Sequence, residues 1–320
     1  MQFDVVAIGE PIIDFTPLPA SSSGNLVYEA FTGGGACNVL AQVAAYGGNS
    51  AIIGTVGADS FGEFLKQKLN AAGVMTPALH QTTVKNTGIG FVHLRNDGER
   101  SFIFYRNPEA QVELFFPEDE TIVSSSKIFH FTSVSLSGSS IRESTFSAVG
   151  CARKHDVLVS FDVNHRASLW KDVTIDPKEQ IFKGIAQSEI VKLSEEERTF
   201  LFGDVSNREC AAILHRYGVI LVAISMGSKG CYFSYSKGDG ECASIKVKML
   251  DSTGCGDAFA GTMLAQLASY GGKAAIQEIP IDEMRRIFAC ANVAGAICAS
   301  RYGSFSIMPT KDEIRNYLFA

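Results

Sequence analysis

The chain has 320 residues, 46% of them hydrophobic and 19% charged, with 30 glycines and a mean hydropathy of +0.11. This is a globular composition with enough chain for a sizeable core, which excludes a disordered or fibrous protein. The 28 basic residues are outnumbered by 34 acids and never form a run of four, so a nucleic-acid surface is not expected, and the longest weakly polar stretch, Ile287 to Ala299, falls short of the roughly 18 apolar residues of a membrane span.

Met1 to Glu10 carries two acids and no basic segment, so it does not read as a signal peptide, and a cytoplasmic address is expected. Val5–Gly9 is the first apolar, β-branched run. Residues 11–32, with Pro11, Pro17 and Pro19, are too irregular for a helix and hold two short extended runs. Gly33-Gly34-Gly35-Ala36-Cys37-Asn38-Val39 then opens a helix running to about Tyr46. After a strand at Ile52–Val56, Ser60 and Glu63 have capping-box spacing at the head of a helix. Its stripe is Phe61, Phe64, Leu65 and Leu69, and Gly73 stands at its C-terminal cap.

Gly88–Leu94 and Ser101–Arg106 flank Asp97-Gly98, which reads as a hairpin. Further buried strands are expected at Ile128–Phe131, Val157–Phe161, Ile190–Leu193 and Val219–Ile224. Strand and helix alternation implies a doubly wound, mostly parallel α/β sheet flanked by helices, in a single domain spanning 1–320. Residues 11–32 and 87–106 break the alternation and are read as a small β-sheet lid. The competing reading of that sheet is an insertion that packs or forms a homodimer interface.

The sharpest chemical feature is Asp251-Ser252-Thr253-Gly254-Cys255-Gly256-Asp257, which leads into an apolar helix ending near Tyr270. Gly254 and Gly256 let backbone approach a ligand, and the free N–H groups of a helix start converge on an anion. Asp257, in the first turn, is suited to take a proton from an attacking hydroxyl; the competing role is complementing the helix dipole. Gly33 to Val39 likewise permits close contact with a polar ligand, or is simply a packing turn. No Walker A, G-x-G-x-x-G or G-x-S-x-G pattern occurs. None of the eight cysteines forms a C-x-x-C pair, and the six histidines show no H-E-x-x-H, so reduced thiols and no metal site built from side chains alone are expected.

Together the two glycine-rich segments resemble the two signatures of the phosphofructokinase B, or ribokinase-like, carbohydrate kinases. The likeness continues through Ile8-Gly9-Glu10 with Asp14, Gly57 to Gly62, Ser225 to Gly230 and Ala291-Asn292, in the family's order along nearly the whole chain. Gly98 to Phe102 with Phe104 to Pro108, Phe161 to Arg166 with Leu169-Trp170, and Lys192 to Glu197 look like the fructokinase branch. The likeness to 2-keto-3-deoxygluconate kinases is almost as close. Ala36-Cys37 and Val163 stand where relatives often carry Pro-Ala and Pro.

The resemblance implies an ATP-dependent sugar kinase, most similar to fructokinases. Asp257 would be the base, and the backbone of Gly254, Cys255 and Gly256 the anion hole. Asp14, Gly33, Gly34, Asn38, Arg106 and Arg166 would hold the sugar, with Phe91 and Phe104 as lid contacts. Lys192, Ser225, Gly227, Gly230 and Asn292 would line the nucleotide site. Glu197 would organise Mg2+ through water, cap its own helix, or do both. Asp251 and Thr253, with carbonyls near Gly303, look like a monovalent-cation site for K+. A nucleoside kinase and an inactive sugar-binding relative are the rival readings.

Overall fold

The structure, a computed structural model, describes residues 2–94, 100–105, 115–171, 174–303 and 305–318. Its strands are β1 (Phe3–Ile8), β2 (Ile12–Leu18), β3 (Val27–Gly33), β4 (Ser50–Gly57), β5 (Val74–Thr82), β6 (Gly88–Leu94), β7 (Arg100–Tyr105), β8 (Ser126–Thr132), β9 (Leu158–Asp162), β10 (Ile190–Ser194), β11 (Leu221–Ser225), β12 (Cys231–Tyr235) and β13 (Gly238–Cys242). The helices are α1 (Gly35–Ala45), α2 (Ser60–Ala71), α3 (Glu120–Ser124), α4 (Ser139–Lys154), α5 (Pro177–Ile185), α6 (Glu195–Phe202), α7 (Asn207–Arg216), α8 (Cys255–Leu267), α9 (Lys273–Gln277), α10 (Ile281–Ala299) and α11 (Lys311–Leu318).

Nine strands form one sheet in the order β13-β12-β11-β10-β9-β8-β1-β4-β5, parallel from β11 through β5 and antiparallel only at β12 and β13. Alternation of side chains divides the core in two. Val5, Ala7, Ile52, Ile128, Leu158 and Ile190 face α1, α8 and α10, while Val6, Ile8, Phe129, Phe131, Val159 and Phe161 face α4, α5 and α7. Helix α8 is buried from Asp257 to Leu264, which is why its sequence is apolar on every side and not striped.

On the α1/α8 face the central strands become more polar toward their carboxyl ends. Ile128 and Leu158 pair at the bottom, His130 and Ser160 one step higher, then Thr132 beside Asp162 and Asp162 beside Lys192. Polar groups therefore collect at the strand ends, where open parallel sheets hold their ligands. Val157–Phe161 and Val219–Ile224 are each shifted in the structure, to Leu158–Asp162 and Leu221–Ser225, so Asp162 and Ser225 are the last residues of strands.

The four remaining strands make a separate sheet, ordered β3-β2-β6-β7, in which β2 and β6 run parallel and the outer pairs antiparallel. The expected hairpin is present as β6 and β7, while its turn and Arg106 lie outside the described residues. Among the described residues no helix is long and apolar enough to cross a membrane.

One cap differs from expectation. Asp59, not Ser60, is the N-cap of α2: its backbone is extended (φ −133°, ψ 175°) and its carboxylate accepts the Gly62 N–H at 2.9 Å, while Ser60 is already helical. The same carboxylate accepts the Thr87 N–H and the Thr87 hydroxyl, each at 2.8 Å, just before β6 begins. Burial pushes Asp59 up, yet the bonds from Thr87 and Gly62 hold it below the usual carboxylate range. Asp59 thus clamps the first turn of α2 to the approach to the small sheet. Asp59→Ala is expected to cost about 1–2 kcal/mol, the upper range for a lost cap. A denaturation midpoint unchanged from wild type would show that the clamp contributes nothing.

Candidate active site

Three glycines end β3 and start α1, and each stands where another element leaves no room for a side chain. A Cβ on Gly33 would lie 2.2 Å from Asp14 Oδ2, and one on Gly35 would lie 2.8 Å from Asn164 Nδ2 and 3.8 Å from Asp257 Oδ1. The small sheet, the loop after β9 and the start of α8 therefore converge on this segment. One turn into α1, buried Asn38 donates its Nδ2 to Asp257 Oδ2 at 2.8 Å.

Helix α8 begins from Gly254, whose left-handed φ of 79° suits glycine, and Cys255, Gly256 and Asp257 form its first turn. First-turn N–H groups lack intrahelical partners and carry the positive end of the helix dipole. Lys192 adds a full charge: a Cβ on Gly256 would stand 3.0 Å from its Nζ. The lysine is buried and donates to Asp162 Oδ2 at 2.8 Å, with both side chains almost completely shielded from solvent. Burial works to discharge Lys192, but Asp162, Glu197 and Asp257 outweigh it and keep the ammonium charged. Burial raises the Asp257 carboxyl above its ordinary value, opposed by the Asn38 amide and by the charges of Arg166 and Lys192.

The loop after β9 is set by its own acid. Asp162 Oδ1 accepts the Asn164 N–H at 3.2 Å, and Asn164 takes a left-handed φ of 35° that turns its amide toward Gly35. Glu197 braces the loop from the other side. It forms the expected capping box with Ser194, accepting the Ser194 N–H at 2.7 Å, while its second oxygen accepts the His165 N–H at 2.8 Å. Both oxygens of this carboxylate are thus engaged by backbone. Arg166 is exposed, and its charge reaches Asp257 and Asp162.

In the small sheet, Asp14 pairs in register with Gly90, and Gly90 with Phe104. A Cβ on Gly90 would lie 3.0 Å from Asp14 Oδ1 and 3.1 Å from the Phe104 ring, so Asp14 and Phe104 share one face. Phe91 is adjacent in β6 and belongs to the other face, where it stacks on Phe15 at 5.1 Å and meets Tyr28 and Tyr105 edge-on. Phe91 and Phe104, both expected as lid contacts, therefore stand on opposite faces of the small sheet. Asp14 Oδ1 is buried without a hydrogen-bond partner among the described residues, and burial pushes the carboxyl up to about 7.

Of the residues expected at the nucleotide, Lys192 stands in β10 against the start of α8, and Ser225, Gly227, Gly230 and Asn292 lie along the β11–β13 edge. Ser225 ends β11 and its hydroxyl donates to Leu193 O at 3.5 Å, and Gly227 and Gly230 bound the next turn with φ of 57° and 107°. Asn292 on α10 donates to Cys242 O at 2.8 Å, the carbonyl that also closes over Gly230. Asp251 is buried and joins two loops, accepting the Thr253 N–H at 2.9 Å and the Gly303 N–H at 3.0 Å. In the sequence Asp162 and Asn164 stood out only for the family likeness and were given no role in the site. Their signal was an acid closing an apolar strand two residues before an asparagine.

A lysine-backed helix start beside a buried acid, at the carboxyl edge of a parallel sheet, is the arrangement of an enzyme that moves a phosphoryl group onto a hydroxyl, a kinase in class. The chain belongs to the pfkB family of carbohydrate kinases, whose model matches residues 2–311, and it is an ATP-dependent sugar kinase. It is 32% identical to probable fructokinase-4 of Arabidopsis thaliana over 98% of this chain and 96% of that protein. The fructokinase of Xylella fastidiosa with bound ATP superimposes with a TM-score of 0.88 at 30% identity, over 99% of this chain and 98% of that one. The fructokinase of Vibrio cholerae in a fructose-, ADP- and calcium-bound form gives 0.83 at 28% identity, over 98% of each chain.

Because folded Asp14 has a raised pKa, the folded chain binds more protons than the unfolded one between about pH 4, the unperturbed aspartate value, and about 7. Stability of the sugar-free protein should therefore fall as pH rises through that window and level off above it. Asp14→Asn should flatten this part of the profile, measured as melting temperature against pH. An identical slope in variant and wild type would remove Asp14 as its source.

Proposed function

We propose that the protein transfers the γ-phosphate of ATP to the 6-hydroxyl of D-fructose. The observation that carries the reading is the Asn38–Asp257 bond, which aims a buried carboxylate beside the Lys192-backed start of α8. Asp257 accepts the proton of the attacking hydroxyl, and its raised affinity for protons suits it to that task. The backbone N–H groups of Gly254, Cys255 and Gly256, with Lys192, stabilise charge on the transferring phosphoryl group. Asn38 and Asn164 fix the geometry from α1 and the β9 loop. Asp14, Gly33, Gly34 and Arg166 position the sugar, and the Asp14 and Phe104 face of the small sheet closes over it. Ser225, Gly227, Gly230 and Asn292 border the nucleotide.

The hard oxygen donors at this edge fit Mg2+ carried on the ATP phosphates, with Glu197 approaching it through water while bracing His165. The bound ion supplies charge neutralisation. K+ would be held where Asp251 joins the Thr253 and Gly303 loops, since that carboxylate brings the backbone of both together. The outer face of the small sheet, with exposed Ile103 and Tyr105, is the surface on which two copies would associate.

Asp257→Asn is expected to retain folding and ATP affinity while lowering kcat by about 10²–10⁴. Turnover within tenfold of wild type would assign Asp257 to complementing the helix dipole.

A second reading, phosphorylation of 2-keto-3-deoxygluconate, is favoured by the exposed Arg166, whose guanidinium suits a carboxylate. Asp14 and Asp257 tell against it, because two acids repel an anionic substrate and accept hydrogen bonds from a neutral one. The expected outcome is a larger kcat/KM for fructose than for the sugar acid, with only modest loss of fructose activity in Arg166→Lys. A tenfold preference for the acid in steady-state assays would overturn the choice of sugar and leave the kinase standing.

A further inference from the structure

The opposite end of the sheet holds a cluster that phosphoryl transfer does not use. The donor atoms of Glu120, Cys151 and His155 all lie within 4.8 Å of one another. Cys151 lies in the last turn of α4 and His155, four residues on, is its C-cap, so both stand at the same end of the helix. Glu120 opens the short helix α3, which packs against α4 just ahead of β8. Both α3 and the end of α4 lead into the amino ends of strands, β8 and β9, whereas Asp162, Lys192 and Asp257 gather at the carboxyl ends.

Three different donors meet here, and among the described residues none of their side chains has another hydrogen-bond or ion-pair partner. The Cys151 thiol is buried, while Glu120 and His155 are exposed and leave the cluster open to water. Cys151 lies among apolar groups. A divalent cation bound here would displace the thiol proton, and its two positive charges would balance the thiolate and the carboxylate.

We propose that Glu120, Cys151 and His155 bind a zinc-class divalent cation, with water in the fourth position. Sulfur, imidazole and carboxylate in one set select zinc over the hard cations Mg2+ and Ca2+, which take oxygen ligands. The last turn of α4 and its C-cap supply two ligands, and the third joins α3 to α4, so the ion is a cross-link between the two helices. The expected absence of any side-chain metal site rested on C-x-x-C and H-E-x-x-H patterns. It passed over the C-x-x-x-H spacing at 151 and 155 and a third donor that is distant in sequence.

The test uses the full-length protein, stripped of metal with a chelator and then titrated with Co2+ and with Zn2+. The expected result is one Co2+ per chain with a thiolate-to-cobalt charge-transfer band, lost when Zn2+ is added, and a melting temperature that rises with Zn2+. Cys151→Ser should abolish the band. His155→Ala and Glu120→Gln, at exposed positions where folding is not at stake, should each weaken Zn2+ binding by at least about tenfold. Kinase turnover of the zinc-free protein, assayed with Mg2+ and ATP, should be the same in all four proteins. No thiolate band in the wild type, a band that survives Cys151→Ser, or Zn2+ affinity unmoved by both exposed variants would overturn the proposal. Because the readout is spectroscopic, it stands or falls independently of the sugar assignment.

Discussion

The hydrogen bond from Asn38 to Asp257 joins residues 219 apart in the chain and fixes the relation between the two helices that start at the carboxyl edge of the sheet. It is buried, so losing either partner would leave a polar group without solvent or a partner. Around it the rest of the site takes its place. Helix α1 brings the glycine turn and, through Gly33, the small sheet; α8 brings its lysine-backed first turn; the β9 loop brings Asn164 between them. The helices pack closely because both carry small or apolar residues along the contact. Gly261, for example, lies where a Cβ would strike Gln42.

The second organising element is electrostatic. Burying Lys192 and Asp162 costs solvation that is set against their mutual attraction, so a buried pair of this kind is weak evidence of added stability. Its value is positional, since the attraction holds a charged ammonium against the Gly256 peptide. One step deeper, His130 is kept neutral, its pKa driven down to about 3 by burial and by the charge of Lys192, and it bonds to Ser160. The charged row at the strand ends is therefore insulated from the apolar floor of the sheet by a neutral polar row.

Where the chain spoke clearly in sequence, it did so through periodicity and turn chemistry. β6 was legible from end to end because polar turn residues bracket its apolar run, and the first turn of α6 because Ser194 and Glu197 have capping spacing. β5, β12 and β13 were not read. β5 contains Pro77 and alternates irregularly at the sheet edge, and Gly238–Cys242 has almost no apolar side chain; each is a strand because its neighbour offers a ladder. In the candidate site, Gly254, Gly256 and Asp257 were visible as a local motif, whereas the side chain that holds Asp257 is contributed from another helix. Asp162 was given no role because its partner, Lys192, is thirty residues away and meets it only through strand register. That Phe91 and Phe104 take opposite faces was illegible for a related reason: two aromatics in a hairpin look equivalent until pairing decides which face each takes.

The glycine turn also sets a limit on sequence drift. Every replacement of glycine adds a Cβ, and at Gly33, Gly34 and Gly35 that atom would meet a different neighbour: the Asp14 carboxylate at 2.2 Å, the Glu10 carbonyl at 2.5 Å and the Asn164 amide at 2.8 Å. No single compensating change elsewhere relieves more than one of these collisions, because the neighbours belong to separate elements. At Gly34 the obstacle is backbone and the φ of 106° itself favours glycine, whereas Gly33 and Gly35 face side chains that would have to move. Sequence drift at this turn is therefore most constrained at Gly34, and a change at Gly33 or Gly35 has to be matched by a shift of the side chain opposite it.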